Sequence, residues 1–399
     1  MSTALSILIS LAVLAVAAYP QSEPGGVKTS FVEMPNSVVS RRELGDAITS
    51  AGAYLSRACS KEGKFVYQVE TGSGTVDPSY EIVRHAGAMY SLGSLDREQH
   101  NAETARTITN AAAFLEHNYV GPGVRTGQIA VWGRPFPEPS DAELGATALG
   151  MLALLEARRI DQHIVSLEDL QGMGRTILFL QRDDGSFIHR YRPGVGPDLN
   201  WHSLFYPGEA ALALVSLYEV DHNSEWLEAA GKALAYLART RSGSTKVPRD
   251  HWALIATAEL LPYCERNECK VTRAELVGHA VQICNELLSS QQLALGDPAL
   301  DGSFDAPGRI AIAAASLEGL LAAYEFLPPE ERELRTRIQA AATRGIDFLL
   351  RAQIKSGPYA GGMPLTSIPE KSGGSIIRID FVQHSLSAWI RYRRLFCSK

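Results

Sequence analysis

Apolar residues recur along this chain in two ways that alternate. One set of segments carries an apolar stripe at helical spacing with a charged opposite face: Leu44 to Cys59, Arg97 to Tyr119, Ser166 to Gln181, Ser224 to Arg239, Thr272 to Gln291 and Pro329 to Gln353. The other set is apolar and small almost all round: Tyr80 to Leu92, Asp141 to Ala157, Pro207 to Tyr218, Asp250 to Pro262, Ile310 to Phe326 and Ile376 to Phe396. A helix with one charged face belongs on the outside of a protein, and a helix apolar on every side belongs within it. Strand-like alternation is confined to short stretches such as Lys64 to Val69. The pattern therefore predicts six helical hairpins, each with an outer and an inner member.

Hairpins that cannot bury their apolar faces alone stack and close on one another. Six in strict alternation predict an all-α (α/α)6 barrel, or toroid, over residues 43–399, with one central cavity where function should be sought. Two turns carry a near-repeated signature: Gln181-Arg182-Asp183-Asp184-Gly185-Ser186-Phe187, and Gln291-Gln292 followed by Asp301-Gly302-Ser303-Phe304. Glycine supplies a turn conformation that other residues resist, and the aromatic buries area at the seam. This form resembles the QW-type turn of the terpenoid cyclase and protein prenyltransferase toroids. The resemblance implies the fold and a structural role for these residues, and it implies no chemistry.

The N-terminus departs from the average. Leu5 to Ala18 is almost wholly apolar, and Ala15-Val16-Ala17 supplies a cleavage pattern. The run is shorter than the roughly 20 residues that span a bilayer, so residues 1–18 read as a secretory signal peptide and 19–42 as a linker. Because Met1 to Ser6 lacks Lys and Arg, an uncleaved anchor is the alternative, and the only membrane contact expected. The reading is of a secreted or periplasmic protein. Five cysteines suit export, with Cys264 and Cys269 bracketing a polar turn as a candidate local disulfide. A net charge of -6 without a Lys/Arg run argues against a nucleic-acid partner.

Candidate chemistry lies where inner helices begin, since those ends share one mouth of the ring. Asp77 before Pro78 reads as a helix cap. Arg84 and His85 sit inside an apolar helix, so the arginine must face a cavity or a buried acid. Ser140-x-x-Glu143 has capping-box spacing, which leaves Glu143 as either a cap or an acid. Glu209 follows Pro207 and Gly208, with Trp201, His202, Phe205 and Tyr206 crowding the approach. Aromatic rings around a carboxylate suit a sugar, and the glycine would admit a ligand closely. Arg249, Asp250, His251 and Trp252 share one helical turn. Asp380 and His384 are four apart on one face, with Arg378 nearby, but no third metal ligand is evident and no metal or other cofactor is expected.

Nucleophile elbows, phosphate loops, the Asp-rich terpene cyclase motifs and the prenyltransferase zinc set are missing from the sequence. Carboxylates, histidines and arginines around a helical cavity in an exported protein look like the (α/α)6 carbohydrate-active enzymes, which include glycosidases, lyases and epimerases. That resemblance implies an oligosaccharide or polysaccharide substrate. A glycoside hydrolase would draw its acid and base from Glu143, Glu209, Asp250 and Asp380, with His251 in support. An epimerase or polysaccharide lyase would instead use His85, His251 or His384 as base, with Arg84 or Arg378 holding an acid group. Arg249, Trp201, Tyr206 and Trp252 would contact substrate in either case. Rival readings are a non-catalytic toroid that binds a polymer or protein partner and, as a minor alternative, a terpenoid-cyclase-like protein.

Overall fold

The computed structural model describes residues 39–397, except 139, 267, 294–296 and 369–373. The signal peptide at 1–18 and almost all of the 19–42 linker lie outside the described residues. The outer helices are α1 (Arg41–Ala58), α3 (Ala102–Tyr119), α5 (Leu167–Leu180), α7 (Ser224–Arg241), α9 (Arg273–Ser290) and α11 (Arg332–Ala352). The inner helices are α2 (Ile82–Glu98), α4 (Leu144–Ile160), α6 (Tyr206–Asp221), α8 (His251–Glu265), α10 (Ile310–Phe326) and α12 (Ile379–Phe396). Each inner helix packs on the next, from α2 to α4 and onward, and α12 returns to α2, which closes the ring. The predicted (α/α)6 toroid is the fold.

The starts of neighbouring inner helices meet one another: Gly145 of α4 touches Tyr206 of α6, Gly208 of α6 lies against Trp252 and Ala253 of α8, and Arg84 of α2 bonds Asp380 of α12. All six therefore open on one mouth. Short antiparallel pairs line it. β1 (Gln68–Glu70) pairs with β7 (Ile376–Arg378), β2 (Val120–Pro122) with β3 (Ile129–Val131), and β4 (Ala142–Glu143) with β5 (Arg190–Arg192), which also pairs with β6 (Gly196–Pro197). The β1–β7 pair, Gln68 opposite Arg378, joins the first hairpin to the last.

Capping separates the two rings of helices. Ser40, Asn101, Ser166, Asn223 and Thr272 accept backbone N–H bonds at the starts of outer helices. Of the inner helices, α8 is capped by the Asp250 side chain, while three others take their first bonds from strand or loop carbonyls: Leu144 N donates to His189, Ile310 N to Leu365 and Ile379 N to Tyr67. Two sequence expectations fall for this reason. Asp77 stands before the start of α2 and accepts from Ser79 N at 2.8 Å, so it caps a turn. Ser140 does not build a capping box, because β4 intervenes and Glu143 is itself the residue preceding α4. Arg97, read as the start of an outer helix, belongs to the last turn of α2.

The glycine turn is more widespread than the sequence shows. Gln181, Gln291 and Gln353 each end an outer helix and donate from Nε2 to a carbonyl of the next outer helix: Ala229 at 2.9 Å, Ala341 at 2.8 Å and Ala47 at 2.9 Å. Each is followed by a glycine at positive φ, Gly185 (94°), Gly302 (89°) and Gly361 (88°), and then by a buried side chain, Phe187, Phe304 or Met363. Gly63 (86°) and Phe65 repeat the form with Cys59 in place of the glutamine. A Cβ at Gly302 would collide with the Arg344 carbonyl as well as strain the backbone. Gly302→Ala should therefore lower stability by about 2 kcal/mol or more, read as a shifted urea midpoint with unchanged slope. An unshifted midpoint would remove this account of the seam.

No described helix is long and apolar enough to cross a membrane. The Cα atoms of Cys264 and Cys269 are 4.6 Å apart, within the span of a disulfide.

Candidate functional site

Three inner helices bring one polar cluster to the wall of the ring. His251 opens α8, Glu318 lies midway along α10, and His384 lies on the second turn of α12. His384 Nδ1 is 2.6 Å from Glu318 Oε2, a short charge-assisted bond that fixes the ring. The His251 and His384 rings stand 5.6 Å apart at 77°, and His251 Nε2 is buried with no partner. Burial holds His251 well below the usual histidine range, and the His384 charge adds to this. Burial would also depress His384, but the Glu318 carboxylate overrides it and holds this imidazole above the ordinary value. The two rings are thus pushed in opposite directions, His251 towards its neutral form and His384 towards its protonated form.

The cluster also answers the sequence expectation that His384 has no metal partners. Ligand atoms of His251, Glu318 and His384 lie within 4.8 Å of one another, which is a possible three-donor set. Asp380, the acid expected to join His384, is instead turned to arginines. In the observed geometry Glu318 is used to orient His384 Nδ1, Gln383 Nε2 lies 3.5 Å from His384 Nε2, and His251 Nε2 is the nitrogen without a partner.

The remaining candidates are held by specific partners. Asp380 accepts from Arg378 Nε at 2.7 Å and from Arg84 Nε at 3.0 Å. Burial raises its pKa, yet the Arg378 bonds and the two guanidinium charges bring the net value below the usual carboxylate range. Arg84 also bonds Tyr67 and Glu81. Glu143 takes the Tyr206 hydroxyl at 2.9 Å and pairs with Arg190 at 3.0 Å. Asp250 caps α8 through Ala253 N and faces outward to Arg241 at 3.0 Å, away from the ring's axis. Arg249 is exposed and reaches the Phe304 carbonyl at 3.3 Å.

His85 is not at the mouth. It is fully buried between the Tyr80 hydroxyl (2.8 Å) and the Ala111 carbonyl (3.0 Å), a core histidine that burial pushes down to about 4. Gly208 admits no ligand either, since the α8 backbone occupies the space a Cβ would take. Glu209 is buried with Oε2 unpartnered, and burial, with Asp250 second, raises its pKa well above the usual range. Trp252 is buried against Tyr90, 6.4 Å between rings, while Trp201 packs 5.3 Å from Tyr206.

Phe205, the residue before α6, stands edge-on to His251 at 5.0 Å. A cavity of about 810 Å³ opens off the axis, beside the start of α4. Glu318 was not anticipated as a site residue. Glu318 was legible in principle, because a lone acid in the apolar run Ile310 to Phe326 needs a buried partner just as Arg84 does.

No family model matches this chain, and no curated protein does. Solved structures do. A cellobiose 2-epimerase from Bacillus thermoamylovorans aligns with a TM-score of 0.65 at 13% identity, over 88% of this chain and 98% of that one. A D-mannose isomerase aligns at 0.62 and 13%, over 89% and 98%. An α-mannanase from Bacteroides thetaiotaomicron aligns at 0.58 and 13%, over 89% and 97%. At such identities the likeness is one of fold: the chain shares the (α/α)6 toroid with enzymes that act on sugars.

Proposed function

We propose that this protein is a glycan-processing enzyme that moves a proton next to a sugar carbonyl, as an epimerase or aldose–ketose isomerase does. The observation that carries this reading is the facing pair His251 and His384, with Glu318 bonded behind the latter. His251, favoured in its neutral form, can take the proton on carbon while His384, favoured in its protonated form, delivers one, and groups with pKa values pushed apart are how a single site supplies both acid and base. The structural neighbours named as an epimerase and an isomerase support the reading at the level of fold. Export, with a Cys264–Cys269 bridge formed outside the cytoplasm, belongs to the same proposal.

A glycosidase has one observation in its favour, the buried Glu209, whose carboxyl burial holds well above the usual range. It also needs a second free carboxylate, and Glu143, Asp250 and Asp380 are each held by an arginine. Incubation with aldoses and reducing disaccharides separates the two readings. A C2 epimer or ketose is the expected product; monosaccharides cut from a disaccharide, lost in Glu209→Gln, would favour hydrolysis instead.

The rate should have a plateau on both sides of pH 6.5, the ordinary histidine value of about 6.5. It falls at low pH as His251 takes a proton, and at high pH as His384 loses one. Glu318→Gln removes the charge that raises His384, so its alkaline limb should move to lower pH while the acid limb holds. An alkaline limb that stays in place would remove Glu318 from the mechanism.

A further inference from the structure

We infer that the off-axis cavity beside the start of α4 is a subsite for a neutral pyranose ring, the unit of an oligosaccharide next to the one that reacts. The inference rests on the proposed sugar chemistry and adds the substrate class: oligosaccharides in preference to single sugars.

The volume of about 810 Å³ falls within the roughly 300–1,000 Å³ of ligand sites. Its wall carries an apolar platform in Phe136, which keeps 42% of its surface exposed and is backed at 6.2 Å by the largely buried Trp132. The C–H faces of a pyranose pack on such rings. Three buried polar atoms of residues in this wall, Trp132 Nε1, Ser140 Oγ and Arg190 Nε, have no hydrogen-bond partner. A buried donor without a partner is costly, so a ligand oxygen that reaches one of them is favoured.

Charge selects the kind of oxygen. Arg190 is paired with Glu143 and Arg192 with Asp141, which leaves Arg134 and Glu138 as opposite charges on the rim. The lining has no net charge, and a phosphate or uronic acid would have to break one of these pairs. Hydroxyl and ring oxygens need only donors. Contact with the ring's mouth is direct: Arg190 lies 3.6 Å over Trp201, Glu143 accepts from Tyr206, and Tyr206 stacks towards Trp201. A chain whose end reaches the mouth can rest its neighbouring unit here.

Two variants test the subsite. Phe136→Ala removes an exposed platform, and Trp132→Phe keeps the ring but deletes the N–H. Each should raise KM for reducing disaccharides and trisaccharides about ten-fold, leaving kcat and all monosaccharide kinetics as in the wild type. Equal losses on single sugars and oligosaccharides, or no loss on either, would overturn the inference. Binding is read separately by NMR of the indole N–H signals, with the Trp132 signal assigned by its loss in Trp132→Phe. Gluco- and manno-trisaccharides should shift that signal whether or not they are turned over. A shift without turnover supports the subsite and removes the proton-transfer reading. Turnover without a shift overturns the subsite alone.

Discussion

Replacing His384 by Asn should lower turnover roughly a thousand-fold, within the range that a positioned acid or base contributes. Asn can place an N–H donor near the position of Nδ1, so the buried Glu318 keeps a hydrogen bond and the fold should survive. His251→Asn should act similarly, since its Nε2 is bonded to nothing in the structure and its loss leaves no partner stranded. The double variant should be little worse than either single one, because two groups that pass one proton act as a unit. Steady-state rates on the sugar that the wild type turns over check all three. Full activity in either single variant would move the chemistry elsewhere.

A comparably large effect on stability is expected at the ring closure. Asp380 sits between Arg378 and Arg84, with its side chain 10% exposed and each arginine 26% exposed. Asp380→Asn takes the shared counter-charge from two guanidinium groups, leaving Arg84 with Glu81 and Arg378 with no carboxylate from this cluster. Fully buried pairs cost about 3–5 kcal/mol to break, and partial exposure of the arginines places this loss near 3 kcal/mol. For a chain of this size that is a fall in Tm of roughly 4 °C, read by calorimetry. Arg84→Met together with Asp380→Leu should recover part of the loss, since removing charges jointly strands nothing. A Tm unchanged by Asp380→Asn would show that the β1–β7 pairing and apolar packing alone close the ring.

The fold was legible because burial on one side and burial on all sides leave different residue patterns, and the chain keeps them apart at every hairpin. Two of the four glycine turns were also legible, at Gly185 and Gly302. The other two were hidden, because Cys59 replaces the glutamine before Gly63 and Met363 replaces the aromatic after Gly361. The site was read in part. Arg84, Asp380, His251 and His384 were singled out for lying near the starts of inner helices, and the structure brings Arg84 to Asp380 and His251 to His384. What the sequence withheld was partnership. Asp250 is neutralised by Arg241 from an outer helix, and Asp380 by Arg84 almost 300 positions away (|i−j| = 296), so no local pattern shows which acids are free. His85 looked like its neighbour Arg84 but faces α3, because adjacent residues on a helix point about 100° apart.

The central claim is that the two facing imidazoles transfer a proton to and from carbon. The most direct measurement is incubation of an aldose substrate with the protein in D2O, followed by mass spectrometry and proton NMR at the carbon beside the carbonyl. The account predicts deuterium at that carbon in the product, formed by the wild type and lost in His251→Asn and His384→Asn. Product formed with protium retained there, or deuterium incorporated equally by both variants, would contradict it.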